Sequence, residues 1–168
     1  MQQTFRNCTL ILFFSLLFSS AFAQHRGTGP YTAGIGLRGG FLYGISYKQF
    51  LNSRGAIEAI LGTRWQGYSL TGLFEYQRET KFSEDLDWYV GFGAHAGTYE
   101  ERYFLTNVAK KNSSKSVVAI GVDAVVGAEY KVVKVPVTFG LDFKPFMDLV
   151  NGNQNYLDAA LTIRYTFN

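Results

Sequence analysis

At 168 residues, 17% of them charged and 17% aromatic, the chain has room for one domain and not two. A formal net charge of +3 without any basic run speaks against a nucleic-acid surface, and Arg6, one of the positive charges, lies in a leader. The single cysteine, Cys8, precedes the apolar run of that leader, so the remainder of the chain has no disulfide, no thiolate nucleophile and no thiolate for a structural zinc site; no cofactor or metal is expected.

Residues 1–23 read as a cleaved signal peptide. Arg6 supplies the positive start, and Ala21-Phe22-Ala23 the small-residue cleavage site. Between them Leu10 to Phe18 is apolar but too short for a membrane helix, which needs about 20 residues. Gln24 is then the first mature residue, residues 24–30 form a short polar lead, and residues 31–168 form the domain.

From Tyr31 onward the hydrophobic period is two, which is the signature of strands. Thr32 to Arg38 sets Ala33, Ile35 and Leu37 on one face, and Phe41 to Phe50 sets Phe41, Tyr43, Ile45 and Tyr47 together. Ala56 to Gln66 aligns Ile57, Ala59, Leu61 and Trp65; Tyr68 to Gln77 aligns Leu70, Phe74 and Tyr76; Trp88 to Tyr99 aligns Trp88, Val90, Phe92, Ala94 and Ala96. Val117 to Lys131 alternates without a break from Val118 to Tyr130. Val137 to Pro145 and Tyr156 to Phe167 complete eight runs, most of them near the 9–11 residues of a tilted membrane strand.

The opposite faces carry Arg38, Lys48, Glu58, Arg64, Glu75, Asp123, Glu129, Lys131, Asp142, Lys144, Asp158 and Arg164, six basic and six acidic, among many glycines. Two folds present such paired faces. A soluble barrel would turn the apolar face inward, whereas a membrane barrel turns it to lipid and encloses the charges. The unbroken apolar faces of the last strands, aromatics near strand ends (Tyr47, Trp65, Tyr68, Trp88, Tyr130, Tyr156, Tyr165, Phe167) and the balance of interior charge favour the second. The expected fold is all-β, an eight-stranded antiparallel up-and-down transmembrane β-barrel.

With both termini periplasmic, the connections Asn52 to Gly55, Arg78 to Asp87 and Val133 to Pro136 face the periplasm. The outer side receives tight turns at Gly39-Gly40 and Gln66-Gly67, and two long loops, Glu100 to Ser116 and Met147 to Asn155.

Six segments then carry a resemblance: Gly44 to Lys48 (GISYK), Trp88 to His95 (WYVGFGAH), Gly121 to Asp123 (GVD), Gly127 to Tyr130 (GAEY), Asp142 to Pro145 (DFKP) and Ile163 to Phe167 (IRYTF). Taken in order they resemble the small outer-membrane β-barrel domain family, similar in architecture to OmpX and to the membrane domain of OmpA. The resemblance covers nearly all of residues 24–168. It implies residence in the cell outer membrane, with membrane lipid and the outer-membrane assembly machinery as partners, and implies no activity. Barrels of this kind end on an aromatic residue; here Phe167 is followed by Asn168.

The interior charges have two readings. They line a narrow path for ions or small solutes, or they pair into a plug, which is favoured because eight strands enclose only enough space for side chains. His95 points inward beside Gly91, Gly93 and Gly97, and reads as a hydrogen-bond centre satisfied by a carboxylate such as Asp123. Ser69 and Ser116 have no spacing that assembles a triad with it, so a lipid A-modifying enzyme is a minor alternative. Lys110, Lys111 and Lys115 form a basic loop tip, a candidate surface contact or simply a solvated turn, and Asn112-Ser113-Ser114 matches a glycosylation sequon of low specificity. The leading expectation is a non-enzymatic outer-membrane protein with a plugged lumen, acting in envelope integrity or surface contacts through its outer loops. The alternatives are a narrow channel, the enzyme, and a secreted soluble carrier.

Overall fold

The computed structural model describes residues 30–64, 67–81, 83–100, 116–150 and 155–167. They form eight strands in chain order, β1 (Ala33–Gly40), β2 (Tyr43–Phe50), β3 (Gly55–Arg64), β4 (Gly67–Thr80), β5 (Ser83–Glu100), β6 (Ser116–Lys131), β7 (Val137–Val150) and β8 (Asn155–Phe167). Each pairs antiparallel with its neighbour in sequence, and β8 returns to β1 through the register Ala33↔Phe167 to Gly40↔Ala160. Closure leaves no sheet edge, which lets strands cross a medium that cannot solvate the backbone.

The alternation decides which face is which. In β4 every second residue from Gly67 to Gln77 is buried and the residues between them are exposed. The buried set includes Ser69, Thr71, Glu75 and Gln77, while the exposed set includes Tyr68, Leu70, Phe74 and Tyr76. The same inversion runs round the wall: Leu37, Phe92, Val126, Leu141 and Leu161 are exposed, while Arg38, Lys48, Asp123, Asp142 and Arg164 are buried. A soluble protein rarely leaves a contiguous apolar surface of this extent. An apolar wall around a charged interior is the arrangement for which lipid is the solvent.

Several boundaries differ from those expected. Gly39 and Gly40 belong to β1, because the ladder to β8 continues to Gly40↔Ala160; the turn is Phe41–Leu42 instead. Arg78 to Asp87 is not a loop: β4 and β5 continue pairing through Glu79↔Asp87 and, past an irregularity, Thr80↔Ser83. The Met147 to Asn155 loop contracts, since β7 runs to Val150 and pairs Met147 with Asn155. The extensions of β1 and of the β4–β5 hairpin lie beyond the apolar runs, whereas β7 keeps an apolar outer face through Met147 and Leu149, so its alternation continues past Pro145. Gly55 opens β3 and Gly67 opens β4, each at the edge of its expected turn. Trp65, Gln66 and the stretch 101–115 lie outside the described residues.

Glycine is spent where a large inward side chain needs room. Gly121 is the register partner of His95, and a Cβ there would meet the imidazole ring. Gly127 faces Tyr89 in the same ladder, and a Cβ would meet its phenol. Gly36 faces Arg164 across β1 and β8, and its Cβ would press on the arginine stem. Interior glycines in these strands therefore make space for cross-lumen side chains.

Candidate functional site: the charged lumen

The lumen holds ion pairs that mostly bypass ladder neighbours. Arg38 on β1 reaches Asp142 on β7 through two hydrogen bonds of 2.6 and 2.5 Å, and donates a third, at 3.2 Å, to Asp158 on β8. The paired, near-parallel donation is the geometry a guanidinium offers a carboxylate. Asp158 also accepts the backbone N–H of Leu42 at 3.2 Å, which draws the buried Leu42 over this part of the lumen. Tyr89 Oη adds a donor to Asp142 at 3.2 Å.

Toward the end that carries the chain termini, Arg164 on β8 bridges Glu58 on β3, at 2.5 Å, and Glu129 on β6. Lys48 on β2 contacts Glu75 on β4 at 2.7 Å and donates to Gln77 at 2.6 Å. Its ammonium also lies 4.4 Å from the centre of the Tyr89 ring. Gln77 passes the network on, donating to Asp87 at 2.8 Å and to Glu129 at 3.2 Å. Tyr31 Oη donates to Glu129 at 3.0 Å, and its ring meets Phe50 edge-on at 4.9 Å, which closes this end with aromatic surface. Lys131, half-buried at the margin, pairs with Asp87 at 3.4 Å.

Toward the other end sits His95. Its Nδ1 is 2.7 Å from Asp123 and its Nε2 2.8 Å from Asp148, so both ring nitrogens are engaged by carboxylates. Lys144 donates to the second oxygen of Asp123 at 2.8 Å. Phe146 packs edge-on against the imidazole at 5.4 Å and stacks on Tyr156. Between the charged groups lies an apolar cluster of Ile60, Leu73, Tyr89 and Val125 inside the barrel.

Eleven of the charged residues expected on the inner face, Arg38, Lys48, Glu58, Glu75, Asp123, Glu129, Lys131, Asp142, Lys144, Asp158 and Arg164, are buried or, for Lys131, half-buried in this network. The side chain of Arg64 lies outside the described residues, as do Lys110, Lys111 and Lys115. Tyr156 is not part of an outward girdle: it faces Phe146, its register partner, on the lumen side. Period two explains this, because Tyr156 shares parity with the inward Asp158. Tyr47 is half-buried, while Tyr68, Trp88, Tyr130, Tyr165 and Phe167 are exposed on the wall. Asp87, Asp148, Gln77, Tyr31 and Tyr89 belong to the network although the charge pattern alone did not single them out. Counting in twos past the apolar runs reaches the two aspartates: Asp87 precedes the outward Trp88, and Asp148 continues Asp142, Lys144 and Phe146. Among the described residues no group of three or more His, Cys, Asp or Glu side chains is disposed to hold a metal ion.

No protein-family model and no curated protein sequence matches the chain. Among solved structures it is similar to the crystal structure of Neisserial surface protein A (NspA), with a TM-score of 0.55 and 17% sequence identity, over 80% of this chain and 93% of that one. The two share a fold at low sequence identity, and the chain is a closed eight-stranded antiparallel barrel.

Proposed function

We propose that the protein is an outer-membrane barrel that serves as a sealed wall, not as a pore, contributing to envelope integrity or surface contacts through the outer ends of its strands. In this reading residues 1–23 are a signal peptide removed on export, the mature barrel is inserted by the assembly machinery, and the β2–β3, β4–β5 and β6–β7 connections face the periplasm. The observation that carries it is the lattice in which Arg38, Arg164 and Lys48 each meet a carboxylate on a non-adjacent strand across the lumen, while Lys144 meets Asp123 on the strand beside it. A path for ions needs charges that water can reach. Here Lys48 and Glu75 are both at 0% exposure, and an apolar cluster lies between the charged groups. An enzyme built on His95 is disfavoured by the same geometry, because both imidazole nitrogens already face carboxylates and neither is left to take a proton from a hydroxyl.

The test is release of small solutes from liposomes holding the refolded chain from Gln24 to Asn168. Insertion with release no faster than from empty liposomes is the expected result. Size-dependent release of sugars would replace the wall with a narrow channel, and failure to insert would favour a soluble carrier.

A further inference from the structure

Outside the lumen, one cluster on the wall is neither apolar nor paired. Tyr76 and Arg78 lie two residues apart on β4, and Arg78 is the register partner of Trp88 on β5, so the alternation sets all three on the outer face of the wall. Arg54, in the turn before β3, donates from Nη1 to Tyr76 Oη at 3.3 Å. Both arginines are exposed. Neither pairs with a carboxylate among the described residues. Glu79 and Asp87 face each other one step along the ladder, on the other side of the sheet, and Asp87 is already bonded to Gln77 and paired with Lys131. The arginines and Trp88 also border a cleft of about 1000 Å³ that Lys81 lines together with Gln77 and the carboxylates Glu79 and Asp87 of the inner face.

The position matters as much as the charge. Tyr76 and Trp88, 38% and 39% exposed, stand where the apolar wall ends at the rim that carries the termini. Amphipathic rings settle at the level of lipid headgroups, with the apolar belt on one side and water on the other. A phosphodiester at that level would find the Arg54 guanidinium at the Tyr76 hydroxyl, Arg78 two residues along the same face, and a phenol whose own O–H remains free to donate because Oη accepts from Arg54. Guanidinium forks match phosphate oxygens in geometry as well as charge.

We infer that Arg54 and Arg78, with Tyr76 and Trp88, form a binding site for the phosphate of an anionic phospholipid in the leaflet at the end that carries the chain termini. The inference rests on the proposed membrane residence and adds a ligand of stated chemistry to one sector of the wall. It assigns no role to the lumen.

The test uses the chain refolded into nanodiscs of phosphatidylcholine and phosphatidylglycerol, with native mass spectrometry of the lipids it retains. Heat-modified gel migration of each sample reports first whether the barrel is inserted, which separates loss of the site from loss of the membrane reading. Wild type is expected to retain one phosphatidylglycerol in preference to phosphatidylcholine. Preference should fall about fivefold for each of Arg54→Gln and Arg78→Gln. Lys134→Gln, in the β6–β7 turn, should leave it unchanged. A folded Arg54→Gln/Arg78→Gln variant with wild-type preference, or an equal fall for Lys134→Gln, would overturn the site. Soluble glycerol phosphate binding the detergent-solubilised barrel as tightly as the lipid would overturn its assignment to a lipid.

Discussion

Lys48 and Glu58 face each other as register partners across the β2–β3 ladder, yet each finds its counter-ion elsewhere: Lys48 meets Glu75 on β4, and Glu58 meets Arg164 on β8. A shorter displacement occurs between β7 and β8, where the register partners Lys144 and Asp158 turn away from each other to Asp123 on the adjacent β6 and Arg38 on the adjacent β1. Lys48–Glu75, Glu58–Arg164 and Arg38–Asp142, each drawn from non-adjacent strands, thus staple the barrel across its interior. A ladder pair would only repeat a connection the backbone hydrogen bonds already make. A cross-lumen pair couples strands that share no backbone bond, and it places matter in the space a channel would need.

Removal of one partner should therefore be costly. Glu58→Gln leaves the guanidinium of Arg164 with Glu129 as its remaining carboxylate, and loss of one partner of a buried pair costs up to about 3–5 kcal/mol. Urea unfolding of the refolded barrel, monitored by tryptophan fluorescence, should show that loss. A change below about 0.5 kcal/mol, the range of an ordinary surface substitution, would mean that water already reaches the pair.

Removal of both partners should cost less. In Lys48→Met/Glu75→Leu the desolvated charges disappear together, and such replacements are often neutral or stabilising by about 1–4 kcal/mol. The double variant is expected to unfold at higher urea than either single variant. Additive losses in the cycle would show that the two side chains act independently.

The strand count and the two faces of the wall were legible because lipid and lumen impose opposite demands on alternate residues. β6, from Val118 to Tyr130, shows this most plainly. Legibility faded where one demand lapsed. Asp87 lies past the apolar run of the β4–β5 hairpin, whereas β7 continues its outward apolar alternation through Met147 and Leu149, so its end was placed too early at Pro145. Ile60, Leu73 and Val125 face inward among polar neighbours, where their apolar character is masked by equally apolar residues on the outer face. Which cation meets which carboxylate was not legible at all, since it depends on strand stagger and side-chain reach around the barrel. Arg38 and Asp142 are 104 residues apart in sequence.

Two glycines should respond oppositely to the same methyl group. Gly121→Ala places a Cβ against the His95 ring and the Met147 carbonyl, and should destabilise by roughly 1–3 kcal/mol through overpacking. Gly72→Ala meets nothing within 4 Å, so steric strain contributes no loss there. Unfolding midpoints of the two variants in one detergent provide the comparison, and equal destabilisation would contradict the account of why these strands hold glycine.

The outer wall makes a separate prediction. Leu161, 65% exposed midway along β8, faces the hydrocarbon if the barrel spans a membrane. Leu161→Arg should then cost about 2–4 kcal/mol of insertion stability near the bilayer midplane. A water-exposed leucine would accept the change within about 0.5 kcal/mol. Folding titrations into liposomes distinguish the two.

The most direct measurement is ionic current across a planar bilayer containing the refolded chain from Gln24 to Asn168, with insertion verified by protection from protease. A sealed lumen predicts current indistinguishable from that of the bare bilayer, without discrete steps. Reproducible unitary steps whose cation selectivity changes in Glu58→Gln would contradict it, and would make the charged interior the lining of a channel.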